Sequence, residues 1–313
     1  MSHLQSVIHP AGIQAALVSH LWWILFGICT FVWVAVAIAA LIAMRRGHRA
    51  ASVDLPESRI GRNVAFAGVA TTITLIAIIF ESVVIGRSLN TLKAPDALRI
   101  TVTANQWWWD VQYENPVPSL RVTTANEIHI PVGRPVGFNL LSNDVIHSLW
   151  IPNLQGKIDL VPGRRNELWL QADRPGVYRG QCAEYCGLQH AKMALVVVAD
   201  PPEQFEYWLT ANRASAPAPV TPEQQRGKDV IEKGPCAMCH TITGTLAGGR
   251  TAPDLTHIAS RSTLGAGSIP NTQGYLAGWI SDPQSIKPGN RMPPPGLASD
   301  ELQAVLAYLE TLK

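Results

Sequence analysis

Residues 181–193 read QCAEYCGLQHAKM, and four of them carry side chains that bind metals: Cys182, Cys186, His190 and Met193. The β-prone run 194–198 follows at once, so the segment is predicted to be a short loop between two strands. Thiolate, imidazole and thioether together are the ligands that copper electron-transfer sites use. This segment, called the copper loop below, therefore predicts a copper site held by a β scaffold.

Two other interpretations of the copper loop are open from its residues. A disulfide between Cys182 and Cys186 would leave His190 and Met193 without a role. A zinc site is the second, but zinc rarely recruits methionine, and the usual second close pair of ligands is not found next to this one. The ligand set favours copper over both.

Residues 98–200 have the pattern of an all-β domain. Short β-prone runs alternate with turns that contain glycine and proline, a spacing typical of a sandwich or barrel. The predicted strands are residues 99–103, 127–131, 136–141, 167–170 and 194–198.

The N-terminal part is unusually apolar. The whole chain is 47% hydrophobic and only 15% charged, against roughly 25% charged residues in soluble domains. Residues 21–44 carry no charged side chain, and residues 63–86 carry only Glu81. As helices both would be long enough to cross a hydrocarbon core of about 30 Å. A core helix of a soluble protein is the alternative, but two such runs close together favour a transmembrane hairpin.

Positive charge predicts the orientation of this hairpin. Residues 1–44 contain neither lysine nor arginine, whereas the connection between the two runs contains five arginines: Arg45, Arg46, Arg49, Arg59 and Arg62. The positive-inside rule places that connection in the cytoplasm and residues beyond 87 outside. The net charge of +2, with no basic tract, gives no reason to expect a nucleic-acid partner.

A second redox motif follows an alanine- and proline-rich linker. Residues 236–240 read CAMCH, the C-x-x-C-H pattern of c-type haem attachment. Cys236 and Cys239 would form thioethers to the haem, and His240 would reach its iron. A thioredoxin-like C-x-x-C is the rival interpretation, but no βαβ pattern surrounds the motif.

The remaining residues of this part are consistent with a small helical haem domain. Residues 223–232 and 300–312 are predicted to be helices. Between them, residues 290–295 read NRMPPP, which resembles the class I cytochrome c segment that bears the distal methionine. Met292 is therefore the expected second axial ligand, and His257 is the alternative. Methionine–histidine ligation favours electron transfer over oxygen chemistry.

The copper loop resembles the binuclear copper A loop of cytochrome c oxidase subunit II. Residues 144–148 and 157–164 are similar to the family's stretches that supply and follow a further histidine, His147. The copper A ligands implied by the resemblance are the thiolates of Cys182 and Cys186, the imidazoles of His147 and His190, the thioether of Met193 and the backbone carbonyl of Glu184. The Glu184 carboxylate is further implied to face a magnesium ion at the interface with subunit I.

An aromatic segment extends the resemblance. Residues 106–109 read QWWW, and the family's corresponding first tryptophan is the residue beside copper A where electrons enter. The resemblance therefore implies that role for Trp107, with structural packing as the alternative. We expect the triplet to lie on a strand, with alternate rings on opposite faces. Ala104 and Asn105 differ from the Gly-His that the family usually has before the segment.

These inferences define a multidomain fold. We predict a two-helix transmembrane hairpin in residues 1–90 and an all-β cupredoxin-like sandwich for copper A in residues 91–208. A linker, residues 209–222, leads to an all-α class I cytochrome c domain in residues 223–313. The cofactors expected are two coppers, one covalent haem c and a magnesium ion at the subunit interface.

The arrangement resembles the caa3-type oxidases, in which a tethered cytochrome raises the effective concentration of the electron donor. The resemblance implies a respiratory cytochrome c oxidase in a bacterial inner membrane, with both redox domains on the periplasmic side. Electrons would come from cytochrome c or a quinol-oxidising complex. They would pass to subunit I, which reduces oxygen and pumps protons alongside other membrane subunits.

The sequence bears differently on three alternatives to this function. A quinol oxidase subunit II would lack the copper ligands. A copper A-containing nitric oxide reductase subunit and a free-standing membrane-anchored electron carrier both stay open from the sequence.

Overall fold

A computed structural model describes residues 5–47, 57–89, 94 and 97–313. The helices are α1 (Ile13–Gly47), α2 (Glu57–Ser88), α3 (Pro202–Ala211), α4 (Pro222–Lys233), α5 (Cys236–Cys239), α6 (Gln273–Ser281), α7 (Pro283–Ile286) and α8 (Ser299–Leu309). The strands are β1 (Leu98–Asn105), β2 (Trp108–Tyr113), β3 (Val122–Ala125), β4 (Glu127–Pro131), β5 (Val136–Ser142), β6 (His147–Ile151), β7 (Gln155–Leu160), β8 (Asn166–Leu170), β9 (Gly176–Cys182), β10 (Ala194–Asp200), β11 (Thr263–Leu264) and β12 (Ile269–Pro270).

Both predicted membrane runs are helices. Residues 21–44 lie within α1, and residues 63–86 lie within α2. Each helix is long and apolar enough to cross a membrane, and its apolar side chains are exposed rather than packed in a core. Such exposure suits a surface that faces lipid. Of the five arginines between the runs, Arg49 lies outside the described residues, while Arg45 and Arg46 end α1.

The β domain is a sandwich of two five-stranded sheets, as predicted. One sheet has the order β3-β2-β1-β5-β8 and the other β4-β10-β9-β6-β7. Strand β1 shows why the chain forms a sandwich, since Ile100, Val102 and Ala104 alternate with more exposed neighbours and are fully buried. All five strands expected from the sequence are present, and five further strands complete the sheets.

The tryptophan triplet is not wholly on a strand, so that expectation was wrong. Gln106 and Trp107 form a two-residue turn between β1 and β2, with Asn105 opposite Trp108. Only Trp108 and Trp109 belong to β2, where their rings face opposite sides and Trp109 is fully buried. A two-residue connection is the shortest that joins antiparallel strands. It places Trp107 at the end of the sandwich, beside the copper loop.

The N-terminal residues pack on the β domain, which the sequence did not suggest. The Ala11 amide donates to the Asn153 carbonyl at 2.7 Å, and Gly12 forms a β-bridge with Ala172. The buried Gln14 side chain donates to the Trp169 carbonyl at 3.0 Å. Residues 11–14 therefore pack on the β domain, although residues 98–200, which form its strands, come after α1 and α2 in the sequence.

The C-terminal part has its own apolar core, around α4, α6 and α8. Helix α4 begins with a capping box in which Thr221 and Gln224 satisfy each other's backbone amides, and Pro222 occupies the first turn. Helix α8 ends at Leu309, slightly earlier than predicted, and its residues Val305, Leu306 and Leu309 are buried. Helices α4 and α8 approach so closely that a Cβ added to Gly227 would lie 1.9 Å from the Ala304 carbonyl oxygen.

Replacing Gly227 with alanine is therefore expected to destabilise the C-terminal domain. The added methyl would force two helix backbones apart, and such overpacking costs about 1–3 kcal/mol. The matched control is Gly278→Ala in α6, where an added Cβ meets nothing within 4 Å and helix propensity alone should stabilise slightly. Thermal unfolding followed by circular dichroism compares the two variants. Equal midpoints would contradict the close-packing argument.

Candidate copper and haem sites

The copper loop is closed by the pairing of β9 with β10. Gln181 lies opposite Ala194, and the Cys182 amide donates to the Met193 carbonyl at 2.8 Å. The first and last ligand candidates of the loop are thus held next to each other by backbone. Between them a 3₁₀ turn, residues His190–Lys192, directs the loop back toward β10.

The two loop cysteines lie side by side in the interior. Their sulfur atoms are 3.7 Å apart, and both residues are buried. A disulfide needs a separation of about 2.05 Å, so the cysteines are free thiols here. Two neighbouring sulfur atoms at this spacing could bind to the same metal centre.

The other candidate ligands surround this pair. Distances from the Cys182 sulfur are 3.8 Å to His147 Nδ1 and 3.2 Å to the Glu184 carbonyl oxygen; those from the Cys186 sulfur are 3.5 Å to His190 Nδ1 and 3.8 Å to Met193 Sδ. The structure therefore brings together all six residues named for copper from the sequence. His147, Cys182 and Cys186 have their ligand atoms within 4.8 Å of one another.

His147 reaches the loop from a different strand. It begins β6, which pairs with β9 so that Leu149 lies opposite Cys182. Its side chain is completely buried. A histidine 35 residues before Cys182 is thus made a neighbour by strand pairing alone.

Asp144 orients this histidine, a role that the sequence did not reveal. Its carboxylate lies 2.8 Å from His147 Nε2 and accepts a hydrogen bond from the backbone amide of Gln106 at 2.6 Å. Burial disfavours the charged form of each group. The hydrogen bond between Asp144 and His147, together with their other hydrogen bonds, has the larger effect: the pKa of Asp144 is lowered and the pKa of His147 is raised. A carboxylate on the second imidazole nitrogen fixes which nitrogen faces a metal. The only sequence signal was an acidic residue three positions before a candidate ligand.

The two thiols differ in acidity because they share a proton. A hydrogen bond from Cys186 lowers the pKa of Cys182, aided by His147, against the effect of burial. That same bond, with burial, raises the pKa of Cys186. The pair therefore releases one proton easily and the second only when a cation replaces it.

The Glu184 carboxylate points away from the thiols. It pairs with Lys157 Nζ at 3.3 Å, and both side chains are partly exposed. Its carbonyl and its carboxylate therefore serve different surroundings, the first at the candidate metal centre and the second at the surface.

Trp107 lies against the copper loop. Its indole Nε1 donates to the Cys186 carbonyl at 3.0 Å, and the side-chain amide nitrogen of Gln106, Nε2, donates to the same oxygen at 2.8 Å. A Cβ on Gly187, whose φ is +114°, would lie 3.2 Å from the indole ring. The ring is thus one hydrogen bond from a ligand candidate.

The C-x-x-C-H motif forms one short helix. Cys236 and Cys239 are free thiols at the two ends of α5, with Cys239 exposed. His240 follows, and its Nδ1 lies 2.7 Å from the Pro253 carbonyl. Burial lowers the pKa of His240, although this hydrogen bond raises it. A neutral ring with its proton on Nδ1 leaves Nε2 available as a ligand.

The sequence predicts Met292 as the second haem ligand, with His257 as the alternative. Met292 is fixed through its backbone, since its amide donates to Asn290 Oδ1 at 2.7 Å and its carbonyl accepts from Gln284 at 2.9 Å. The ring nitrogens of the buried His257 lie 2.7 Å and 3.1 Å from the carbonyls of Lys313 and Ala214. Both nitrogens of His257 are therefore engaged, which favours Met292.

Comparisons with known proteins agree with this geometry. The family described as cytochrome c oxidase subunit II, periplasmic domain, matches residues 98–200, and the cytochrome c family matches residues 224–313. Cytochrome c oxidase subunit 2 of Alkalihalophilus pseudofirmus is 35% identical over 286 residues, which cover 88% of this chain and 81% of that protein. The chain belongs to the cytochrome c oxidase subunit 2 family.

Two further similar proteins are less identical to this chain. The protein of that name from Bacillus subtilis is 32% identical, and the match covers 71% of this chain and 64% of that protein. The crystal structure of the periplasmic domain of subunit II of cytochrome oxidase from Bradyrhizobium japonicum is 29% identical. That match covers 39% of this chain and 97% of the other, with a TM-score of 0.36. Family membership makes this subunit 2 part of an oxidoreductase complex and supports a role in electron input.

Removing the Asp144 carboxylate should loosen the candidate copper centre of this subunit 2. Asp144→Ala leaves His147 free to rotate, and loss of such a partner weakens metal binding about 10–100-fold. Asp144→Asn keeps an oxygen that accepts from His147 and should lose less. Copper retained against a competing chelator measures the effect. Asp173→Ala, an exposed carboxylate of the same domain, is the control. Equal retention in all variants would show that Asp144 does not position the ligand.

Proposed function

We propose that this chain is the electron-input subunit of a respiratory cytochrome c oxidase. It relays electrons from its own haem c through binuclear copper A to subunit I, which reduces oxygen and translocates protons. Copper A and haem c, when bound, each take up and release one electron at a time. The observation that carries the proposal is the placement of two imidazoles and a thioether around a pair of buried thiols.

The donor set fits copper better than other metals. Cys182 and Cys186 would hold the copper, with His147 beside Cys182 and His190 beside Cys186. The Met193 thioether and the Glu184 carbonyl would complete the coordination as weaker ligands. Thiolate, imidazole and thioether are soft ligands that suit copper, and the thioether argues against zinc. The pairing of β9 with β6 and β10 holds these donors close together.

The residues of the C-terminal domain fit a covalent haem c. Cys236 and Cys239 would hold the porphyrin, and His240, oriented by the Pro253 carbonyl, would be a ligand of the iron. Met292 would supply the other ligand. A thioether at that position leaves no easy site for oxygen, so the domain would carry electrons and leave oxygen chemistry to subunit I.

Two further residue roles belong to this proposal. Trp107 donates to the Cys186 carbonyl and would be where electrons from the haem domain enter copper A. The Glu184 carboxylate, partly exposed, would contribute to a magnesium site shared with subunit I, where Lys157 now pairs with it. Both roles come from the family resemblance and fit the positions of the side chains.

The proposed organisation follows the predicted divisions of the chain. Residues 1–90 would anchor it in a bacterial inner membrane, residues 91–208 would carry copper A, and residues 209–222 would connect to the haem domain, residues 223–313. Both redox domains would face the periplasm, where cytochrome c or a quinol-oxidising complex supplies electrons. In the membrane the anchor would contact subunit I and the other subunits.

Two other functions differ from this one either in the subunit with which the chain associates or in the terminal electron acceptor. A free-standing membrane-anchored carrier would purify without a large subunit that contains haems. A copper A-containing nitric oxide reductase would co-purify with such a subunit but reduce nitric oxide instead of oxygen. Purification of the complex and an oxygen-consumption assay distinguish the three.

The direct test is the cofactor content of the full-length protein. We expect two coppers and one covalently bound haem c per chain, measured by metal analysis and optical spectroscopy. Cys186→Ser should lose the copper and keep the haem, because it removes one bridging sulfur. Cys239→Ser should impair covalent haem attachment and keep the copper.

Cys29→Ser is the matched control, because Cys29 is an exposed residue of α1 far from both motifs in the sequence. It should retain both cofactors. Wild-type protein that contains haem but no copper would overturn the copper A assignment and point to a purely haem-based carrier.

A further inference from the structure

Residues 286–292 of the haem domain lie directly on the copper loop. We call them the docking segment; they lead to Met292, the proposed haem ligand. The Gln189 side chain donates to the Pro288 carbonyl at 2.6 Å. The Lys192 ammonium donates to the Ile286 carbonyl at 2.5 Å. A Cβ added at Gly289 would lie 2.7 Å from Leu188. The copper loop on one side and the docking segment on the other therefore bring the two proposed redox centres into direct contact through the protein.

Lys287 lies at the centre of this contact. Its side chain belongs to the docking segment, yet its ammonium donates to two carbonyls of the β domain, Trp107 at 2.7 Å and Lys192 at 2.7 Å. The third acceptor is the Gly265 carbonyl of the haem domain at 3.0 Å. Three acceptors match the three protons of an ammonium group. The residue is only 2% exposed.

A buried ammonium with these partners is a strong geometric constraint. Burial lowers the pKa of Lys287 to about 7, because the side chain is withdrawn from water. A charge in such a place needs its hydrogen bonds, because a buried cation without them is costly. Separation of the two domains would break two of the three bonds at once. Because the three acceptors come from both domains, these bonds form in one relative arrangement of the domains and specify it.

Further hydrogen bonds outside the docking segment support the docked position. The buried Glu127 of the β domain accepts the Ser262 amide of the haem domain at 3.0 Å. The Ala194 amide, next to Met193, donates across the interface to the Ala266 carbonyl at 2.9 Å. The linker between the domains is also hydrogen-bonded to the haem domain, since the Ala216 amide donates to the Thr243 carbonyl at 2.9 Å. These bonds indicate a fixed arrangement rather than a freely swinging tether.

We propose that Lys287 is a positioning residue that locks the docking segment onto the copper loop. Electrons then pass from the haem domain to the copper domain within one fixed unit. The inference rests on the proposed function for the two cofactors, while the docking itself depends only on the protein contacts. Through the Trp107 carbonyl the lock also holds the residue at which electrons would enter.

The test compares Lys287→Met with wild type in the intact oxidase complex. Methionine keeps the length and apolar stem of the side chain but donates no hydrogen bond. Hydrogen–deuterium exchange of the peptide that contains the Ala194 amide reports docking independently of electron transfer. We expect this exchange to accelerate at least about tenfold, since one hydrogen bond to a charged group is worth on the order of tenfold in an equilibrium. Exchange in β5 should not change.

The electron-transfer readout is the haem-to-copper step after photoreduction of the haem. In wild type its rate should be independent of ionic strength, because a buried contact is little screened by salt. In Lys287→Met it should slow about tenfold or more and become dependent on salt and viscosity, with the haem potential and the copper A spectrum unchanged. Lys233→Met is the control, because Lys233 is exposed at the end of α4, where it pairs with Asp229 of the same helix.

A wild-type rate that varies with salt and viscosity would overturn the proposal without any variant. So would a Lys287→Met protein with wild-type exchange at Ala194 and a wild-type transfer rate. Absence of copper or haem from the wild-type complex would instead refute the proposed function, while the exchange comparison would still decide whether Lys287 holds the domains together.

Discussion

The pairing of β9 with its two neighbours is the constraint on which the candidate copper site depends. On one side β10 brings Met193 back to Cys182 through a backbone hydrogen bond, so the loop is closed. On the other side β6 places Leu149 opposite Cys182, which sets His147 beside the same sulfur. A one-residue slip of β6 would turn His147 to the other face of the sheet. The donor positions are thus decided by sheet register.

Rigidity of this kind suits electron transfer. A centre whose donors are already in place needs little rearrangement when it gains or loses an electron, and the surrounding polar contacts reinforce this. Asp144 fixes His147, while Gln106 and Trp107 both donate to the Cys186 carbonyl. The turn that carries Gln106 and Trp107 belongs to the opposite sheet from β9. Both sheets therefore contribute to one small polar network around the thiols.

Much of the architecture was predictable because its signals are local. The two apolar helices, five of the ten sandwich strands and the helices α4 and α8 follow from hydrophobic periodicity and turn residues. The copper loop was predictable because four candidate ligands lie within one short segment. His147 was named only through family resemblance, and the strand placement of the tryptophan triplet was wrong. Gln106 and Trp107 form a hairpin turn, which depends on how β1 pairs with β2.

The sequence by itself determined which chemistry the chain can carry, since thiol, imidazole and thioether side chains at fixed spacings limit the cofactors that can bind. Only the tertiary structure decided how these groups are oriented and connected. Asp144 gains its role from the fold of its loop onto His147, and Lys287 gains its role from two domains whose carbonyls surround it. Hydrogen bonds to backbone carbonyls leave no pattern in side-chain identities, because every residue has a carbonyl. Such contacts are therefore visible only after the chain has folded.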